Sequence, residues 1–290
     1  MILGAVEIST RSTRLSVVDV SPGGSSRITD RSHGITAITG NAERLTALVM
    51  AEVETARDLG AESVEIVADP ALRGTRLIRL IERVSRAIGT GDIRIPAERE
   101  RVAAAFLGAT RPRQILLGDP VAVALMGDAA IGIGAGTPGL EPAWVGSRPV
   151  GTVAISRKAR FSDPPRPNQI EAAISGASRK IESLAPPSCE RLLASTDFSV
   201  VIERLCGARI TREDSRRGLE ALYGQTSDDL AAWFGLEPGR SRYLPGTLVG
   251  IAALAEVFDL PVEPLGHDSV AGRHWSDEYG RLLSADGSSS

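Results

Sequence analysis

Several short stretches of this sequence gather side chains that can do chemistry. Residues 6–15, VEISTRSTRL, read as strand, polar turn, strand, with Glu7 ahead of the turn, Ser9, Thr10, Arg11 and Ser12 in it, and Arg14 just after. Hydroxyls and forked guanidiniums brought together at a turn are what an anion needs, because both present donors and a guanidinium can grip two oxygens at once. A second group opens the helical stretch AERERVAAAFLGA, where Glu98 and Glu100 are candidate general bases and Arg101 is a candidate anion contact. Arg73 stands at the start of another helix, suited either to a bidentate phosphate contact or to plain solvation. Asp119, in the turn GDP between two apolar runs, is a further acid with a ligand's chemistry. The glycine-rich run GIGAGTPG at 132–139 would need a strand before it and a helix after it to cradle a nucleotide. The next residues, LEPAWVGSRPVGTVAI, do not read as helix, so a flexible hairpin connection is expected there.

Composition narrows what these groups could serve. The net charge is −3 over 290 residues, so no global basic field draws in nucleic acid or acidic lipid, and neither is expected as a partner. Of the 33 basic residues only Lys158 and Lys180 are lysines, an Arg-for-Lys bias that reflects a GC-rich genome more readily than a function. Cys189 and Cys206 stand alone, without metal-ligand spacing or paired histidines, which argues against a disulfide framework or zinc site and for a reducing cytoplasm. His33, His267 and His274 lie far apart, and no G-x-S-x-G accompanies them. The first ten residues read as a strand rather than a signal peptide, and no run reaches the roughly 18 apolar residues of a membrane span.

The elements that must hold these residues emerge from periodicity. Residues 2–8, 12–20 and a third segment after SPGGSS alternate as strands. A helix comes next, with Asn41 as N-cap, Gly60 past its end, and Leu45, Leu48, Val49, Val53, Ala56 and Leu59 on one face. Strand 63–68, a helix over about 74–88, the short strand DIRI and a helix from 97 complete an α/β domain over 1–112. Residues 113–280 begin again with strand 114–117, a turn and strand 121–127, hinting at a duplicated architecture. Helices are expected after the proline-rich FSDPPRPN and over 198–206, 211–222, 225–234 and 245–258. Residues 281–290 read as a disordered tail.

At SRPVGTVAISRKARFSDPPRPNQIEAA the sequence resembles the exopolyphosphatase/guanosine-pentaphosphate phosphohydrolase (Ppx/GppA) family, with its S-L-P-L-G-A-x-R-L…S-D-P-P-x-P segment. Further stretches line up in order over residues 1 to about 275. VEISTRSTRL falls on the first phosphate loop D-I-G-S-N-S-x-R-L, ADPALRG on A-T-S-A-x-R-D, and IPAERERVAAAFLGA on S-G-x-E-E-A-R-L-x-F-L-G-V. QILLGDPVAVAL falls on the second loop D-I-G-G-G-S-T-E-L, ASTDFSVVIERLCGA on A-T-S-x-T, and GHDSVAG on G-L-R-E-G. The resemblance implies two ribonuclease-H-like domains of the acetate kinase/Hsp70/actin superfamily with an interdomain cleft. It also implies a bacterial, cytoplasmic protein that hydrolyses phosphoanhydrides with Mg²⁺, the metal being needed only if that activity survives. Polyphosphate or a phosphorylated small molecule would be the ligand, and a homodimer is compatible with it.

The departures from the family pattern are informative. In the first loop Glu7 stands for the Asp, Ser9 for the Gly and Arg11 for the Asn, while Ser12 and Arg14 match. An anion there would be held by Thr10, Arg11, Ser12 and Arg14 rather than by bare backbone. In the second loop the glycines are missing, Pro120 has no N–H to offer and Asp119 would repel a phosphate. The alternative is that Asp119 substitutes for the family's metal-site Asp; Glu7 and Asp119 are the residues a metal would use. Anchored on FLGA, the family's water-activating glutamate falls on Arg101, and Glu100, about 100° away around the helix, does not replace it. Pro70, Ala154, Val270 and Ala271 also break the pattern, while Arg73 keeps it. The expectation is a member that has lost hydrolysis and acts by binding a ligand or partner. The competing expectation is an active hydrolase, repurposed for another anionic substrate through Glu7, Glu98, Glu100 or Asp119.

Overall fold

The computed structural model describes residues 1–9, 12–21, 24–34, 42–69, 72, 76–88, 93–111 and 119–266. These fall into two compact units, Met1–Arg101 and Val102–Ser290.

In the first unit three antiparallel strands, β1 (Ile2–Ile8), β2 (Ser12–Ser21) and β3 (Gly24–Gly34), are extended by β4 (Ser63–Ala68), which runs parallel to β1. The segment DIRI adds a single parallel bridge, Val67 to Arg94, with two backbone hydrogen bonds. Helices α1 (Ala42–Asp58) and α2 (Arg76–Ile88) cover one face of the sheet. Val6, Ile8, Leu15 and Val17 of the strands meet Leu45, Val49 and Val53 of α1 and Ile81 and Val84 of α2, so the period-2 and period-3.6 stripes of the sequence face each other. Leu59 lies off that stripe and is exposed. Beyond α1, Gly60 takes φ +88°, a conformation in which a side chain would be strained.

Helix α3 (Glu98–Thr110) contains the division between the units. Its first turn belongs to the first unit, and from Val102 onward every residue is buried.

The second unit repeats the strand order. Strands β5 (Val121–Met126), β6 (Ile131–Gly136) and β7 (Trp144–Arg148) form the antiparallel meander, β8 (Arg191–Ser195) runs parallel to β5, and β9 (Val262–Leu265) runs parallel to β8. Here the structure corrects the reading of GIGAG as a flexible connection. It is β6, with Ile131, Ile133 and Ala135 turned to the main core and glycines on the opposite face. A Cβ on Gly134 would lie 3.2 Å from Val102 and 3.5 Å from Phe106, so the glycines admit α3 against the sheet. Residues 140–155, read as non-helical, hold β7 and the first half of helix α4 (Thr152–Ala159). The remaining helices are α5 (Pro167–Glu182), α6 (Ser199–Cys206), α7 (Arg212–Glu220), α8 (Ser227–Phe234), the short α9 (Pro238–Ser241) and α10 (Leu244–Phe258). Every residue of α10 from Leu244 to Ala255 is buried, as a helix apolar all round must be. The predicted strand 114–117 and the tail at 281–290 lie outside the described residues.

Candidate functional site

In the first unit β1 and β4 run side by side, so their C-terminal ends come together, the usual place for a site in an open α/β sheet. Glu7 sits near the end of β1 and Asp69 comes just after the end of β4. The first turn of α3 supplies Glu98 and Arg101. The Arg101 Nη2 lies 3.2 Å from the Asp69 Oδ2, and its Nη1 donates to the Glu98 Oε2, also at 3.2 Å. Burial works against the charge on this guanidinium, but Asp69, Glu98 and Glu7 outweigh it and hold its pKa above the ordinary arginine value. Three carboxylates therefore share one cation.

Glu100 is engaged elsewhere. Its carboxylate accepts from the Ala97 backbone N–H at 2.6 Å and from Arg94 at 2.9 Å. A glutamate reaching back to the residue that opens its own helix is the reciprocal half of a capping box, a structural role. The carboxylate is half exposed.

The β1–β2 turn closes on itself. The Ser9 N–H donates to the Ser12 carbonyl at 2.8 Å, the Ser12 N–H donates to the Ser9 hydroxyl at 3.0 Å, and the two hydroxyls lie 3.1 Å apart. The Ser9 hydroxyl thus occupies a backbone donor that a bound anion would use. Arg14, paired across the strands with Glu7, forms a bidentate ion pair with Asp30 (Nε to Oδ1, 2.7 Å; Nη2 to Oδ2, 2.5 Å), and only 10% of its side chain is exposed. Thr10, Arg11 and Arg73 lie outside the described residues.

The second loop needs a correction of place. The strand order makes β5 the counterpart of β1, so the counterpart of the first loop is the β5–β6 turn, Gly127–Ala130, and not the GDP turn. Asp119 is exposed at the opposite end of β5, about 20 Å away along a six-residue strand. It therefore takes no part in that turn. Residues 114–117 and 121–126 are both short apolar runs followed by a polar turn, and nothing in their composition separates the two.

The true counterpart turn is also closed. The N–H groups at the start of α4, free donors in an isolated helix, point into it. Thr152 donates to the Gly127 carbonyl at 2.9 Å, Val153 and Ala154 to the Asp128 carbonyl at 3.0 and 3.1 Å, and Gly151 to the Ala129 carbonyl at 3.1 Å. Carbonyl oxygens fill the place an anion would take. At the C-terminal end of β8, the counterpart of β4, stand the buried hydroxyls of Ser195 and Thr196 instead of charges.

Sequence reasoning missed Asp69. It lies inside the ADPALRG stretch, and only the parallel pairing of β4 with β1 brings it to the end of β1. A Mg²⁺ ion does not fit the cluster: the acids converge, but a guanidinium already stands among them. Among the described residues no group of three or more acidic, histidine or cysteine side chains could hold a metal ion.

Two mixed sheets of matching strand order, each flanked by helices, define an α/β protein of ribonuclease-H-like type. Solved structures carry the comparison further. The chain is similar to the Ppx/GppA family member of Aquifex aeolicus, at 15% identity over 97% of this chain and 98% of that one, with a TM-score of 0.77. It is also similar to an exopolyphosphatase-like protein at 17% identity, covering 97% and 98% with a TM-score of 0.79. An exopolyphosphatase from Cytophaga hutchinsonii matches at 13% identity over 97% and 98%, with a TM-score of 0.76. The fold is therefore that of the Ppx/GppA proteins. No family model matches the sequence, and no curated protein matches it.

Proposed function

We propose that this chain keeps the Ppx/GppA scaffold without phosphoanhydride hydrolysis and works as a binding protein, a pseudoenzyme. The observation that carries the reading is Arg101, a cation in place of the glutamate that would activate water, held by Asp69, Glu98 and Glu7. A guanidinium is not a general base at any physiological pH, and the acids around it have it as their counter-ion. The closed turns at Ser9–Ser12 and Gly127–Ala130 support the same reading, because each engages donors a phosphate loop would offer. Two free cysteines fit a reducing, cytoplasmic setting, and no helix among the described residues is long and apolar enough to cross a membrane.

The test is phosphate release from polyphosphate and from guanosine pentaphosphate with Mg²⁺. The purified chain is expected to release none above background, and Arg101→Glu is expected to restore none, because both turns stay closed. Turnover that disappears in Glu100→Gln or Glu98→Gln overturns the proposal.

A further inference from the structure

The chain's two lysines, twenty-two residues apart in a sequence that otherwise uses arginine, line the same groove. It lies in the second unit between α4 and α5, is about 430 Å³ in volume, and falls within the range of small-molecule sites. Its floor is apolar and small: Val150, Ala154, Ile155, Ala173, Gly176 and Ala177. No aspartate or glutamate lines it. A Cβ built on Gly176 meets nothing within 4 Å, so the middle of the groove is open at the level of the helix backbone.

The cations sit at its two ends. Lys180 donates to the Pro149 carbonyl, just before α4 begins, at 3.2 Å, and Gln169 near the start of α5 donates to the Arg160 carbonyl, just after α4 ends, at 2.8 Å. The two helices therefore run antiparallel. Lys158, in the last turn of α4, lies toward the start of α5, while Arg179 and Lys180 lie in the last turn of α5. Along α5 the two ends are about 16 Å apart at 1.5 Å per residue. Helical side chains lean toward the N-terminus of their own helix, which in this antiparallel pair brings both lysines back over the groove. Among the described residues neither Lys158, Arg179 nor Lys180 has a carboxylate partner. The engaged Lys180 proton leaves two more to donate.

We propose that this groove binds an elongated dianion: an apolar middle carrying a carboxylate or phosphate at each end. The apolar floor takes the middle, Lys158 takes one end, and Lys180 with Arg179 takes the other. This site is separate from the Arg101 cluster and does not depend on whether the first unit hydrolyses anything.

Calorimetric titration of the full chain tests it with sebacate, decane-1,10-diyl bisphosphate, decanoate and decane-1,10-diol. Saturable binding of a dianion at least tenfold tighter than of decanoate, with the diol weaker still, is the expected result, and the first two ligands separate carboxylate from phosphate as the preferred end group. Lys158→Gln should reduce dianion affinity about tenfold and bring it near that of the monoanion. Gly176→Leu should abolish binding while leaving the melting temperature of the free protein unchanged or higher, since the added side chain enters open space. Equal binding of sebacate and the diol, no binding of either dianion, or dianion binding that survives Gly176→Leu in a folded protein overturns the proposal.

Discussion

The β1–β2 turn of the first unit and the β5–β6 turn of the second occupy the same place in two sheets of the same strand order, yet they are closed by different means. Ser9 and Ser12 close the first through side-chain hydroxyls, with a charge cluster alongside. The second is closed by backbone alone: the carbonyls of Gly127, Asp128 and Ala129 take the leading N–H groups of α4, and the neighbouring strand ends in hydroxyls. A turn closed by side chains can be changed one residue at a time, whereas a turn closed by backbone depends on space. The first unit should therefore respond to charge and hydroxyl substitutions, and the second to volume.

The largest effect is expected at Gly151. Its φ of −66° is open to any residue, so only space demands glycine there. A Cβ would stand 2.4 Å from the Gly127 oxygen and the Ala130 nitrogen, both backbone atoms that have no rotamer to change. Gly151→Ala should cost about 3 kcal/mol, at the upper end for overpacking. All three tryptophans lie beyond residue 102, so fluorescence-detected denaturation reads the second unit. A loss under about 0.5 kcal/mol would mean the turn is not held as described.

Arg101 comes next. Removing the cation leaves Glu7, Asp69 and Glu98 facing one another, and breaking a buried ion pair costs about 3–5 kcal/mol. The side chains here keep 21%, 11% and 29% exposure at Arg101, Asp69 and Glu98, so water screens part of that, and about 2 kcal/mol is expected for Arg101→Met. No three acids there are placed to hold a metal, so Mg²⁺ should leave the melting temperatures of Arg101→Met and of the parent protein unmoved. A rise in Arg101→Met alone would mean that the freed acids close on the ion.

These two sites also mark how far the sequence could be read. Helices with clear stripes, such as α1, α5 and α10, were legible because burial of one face, or of all faces, writes itself into spacing. Glu100 and Arg101 were separable because adjacent helical residues cannot share a direction. GIGAG was misread because alternating glycine imitates a flexible loop, when its cause is the approach of α3 to the sheet, a long-range contact. Asp119 was misplaced because an apolar strand carries no mark saying which hairpin it belongs to. Asp69 and the filling of the second turn by α4 were invisible for the same reason: both depend on which strand ends become neighbours, and only the topology decides that.

Ser9 tests the side-chain closure directly and should matter less. Ser9→Ala removes one acceptor and leaves the Ser12 N–H, in a residue 8% exposed, without it. A loss of about 1 kcal/mol is expected, the net value of one such hydrogen bond. Ser9→Gly should lose a little more because the backbone also gains freedom when unfolded. Neither should move the tryptophan-detected transition if the two units melt separately. A shift there equal to that seen by circular dichroism would mean that they unfold as one.

The smallest effect is electrostatic and belongs to the second unit. Helices α7 and α8 begin with matching capping boxes, Thr211 with Asp214 and Thr226 with Asp229. In each, hydrogen bonds from the threonine hydroxyl and backbone N–H hold the aspartate pKa below its usual value. A depressed folded-state pKa contributes stability above the unfolded value, about 3.9, and that contribution fades as pH falls through the folded value. Acid should therefore loosen the starts of α7 and α8 only below about pH 4, read by the amide shifts of Asp214 and Asp229 in a pH titration. Both caps are solvent-exposed, so the change in global stability will be slight, and the local shifts are the measurement to make. Asp214→Asn should remove the titration at α7 and leave that at α8 intact. If both disappear together, the two boxes share one opening event rather than acting as separate caps.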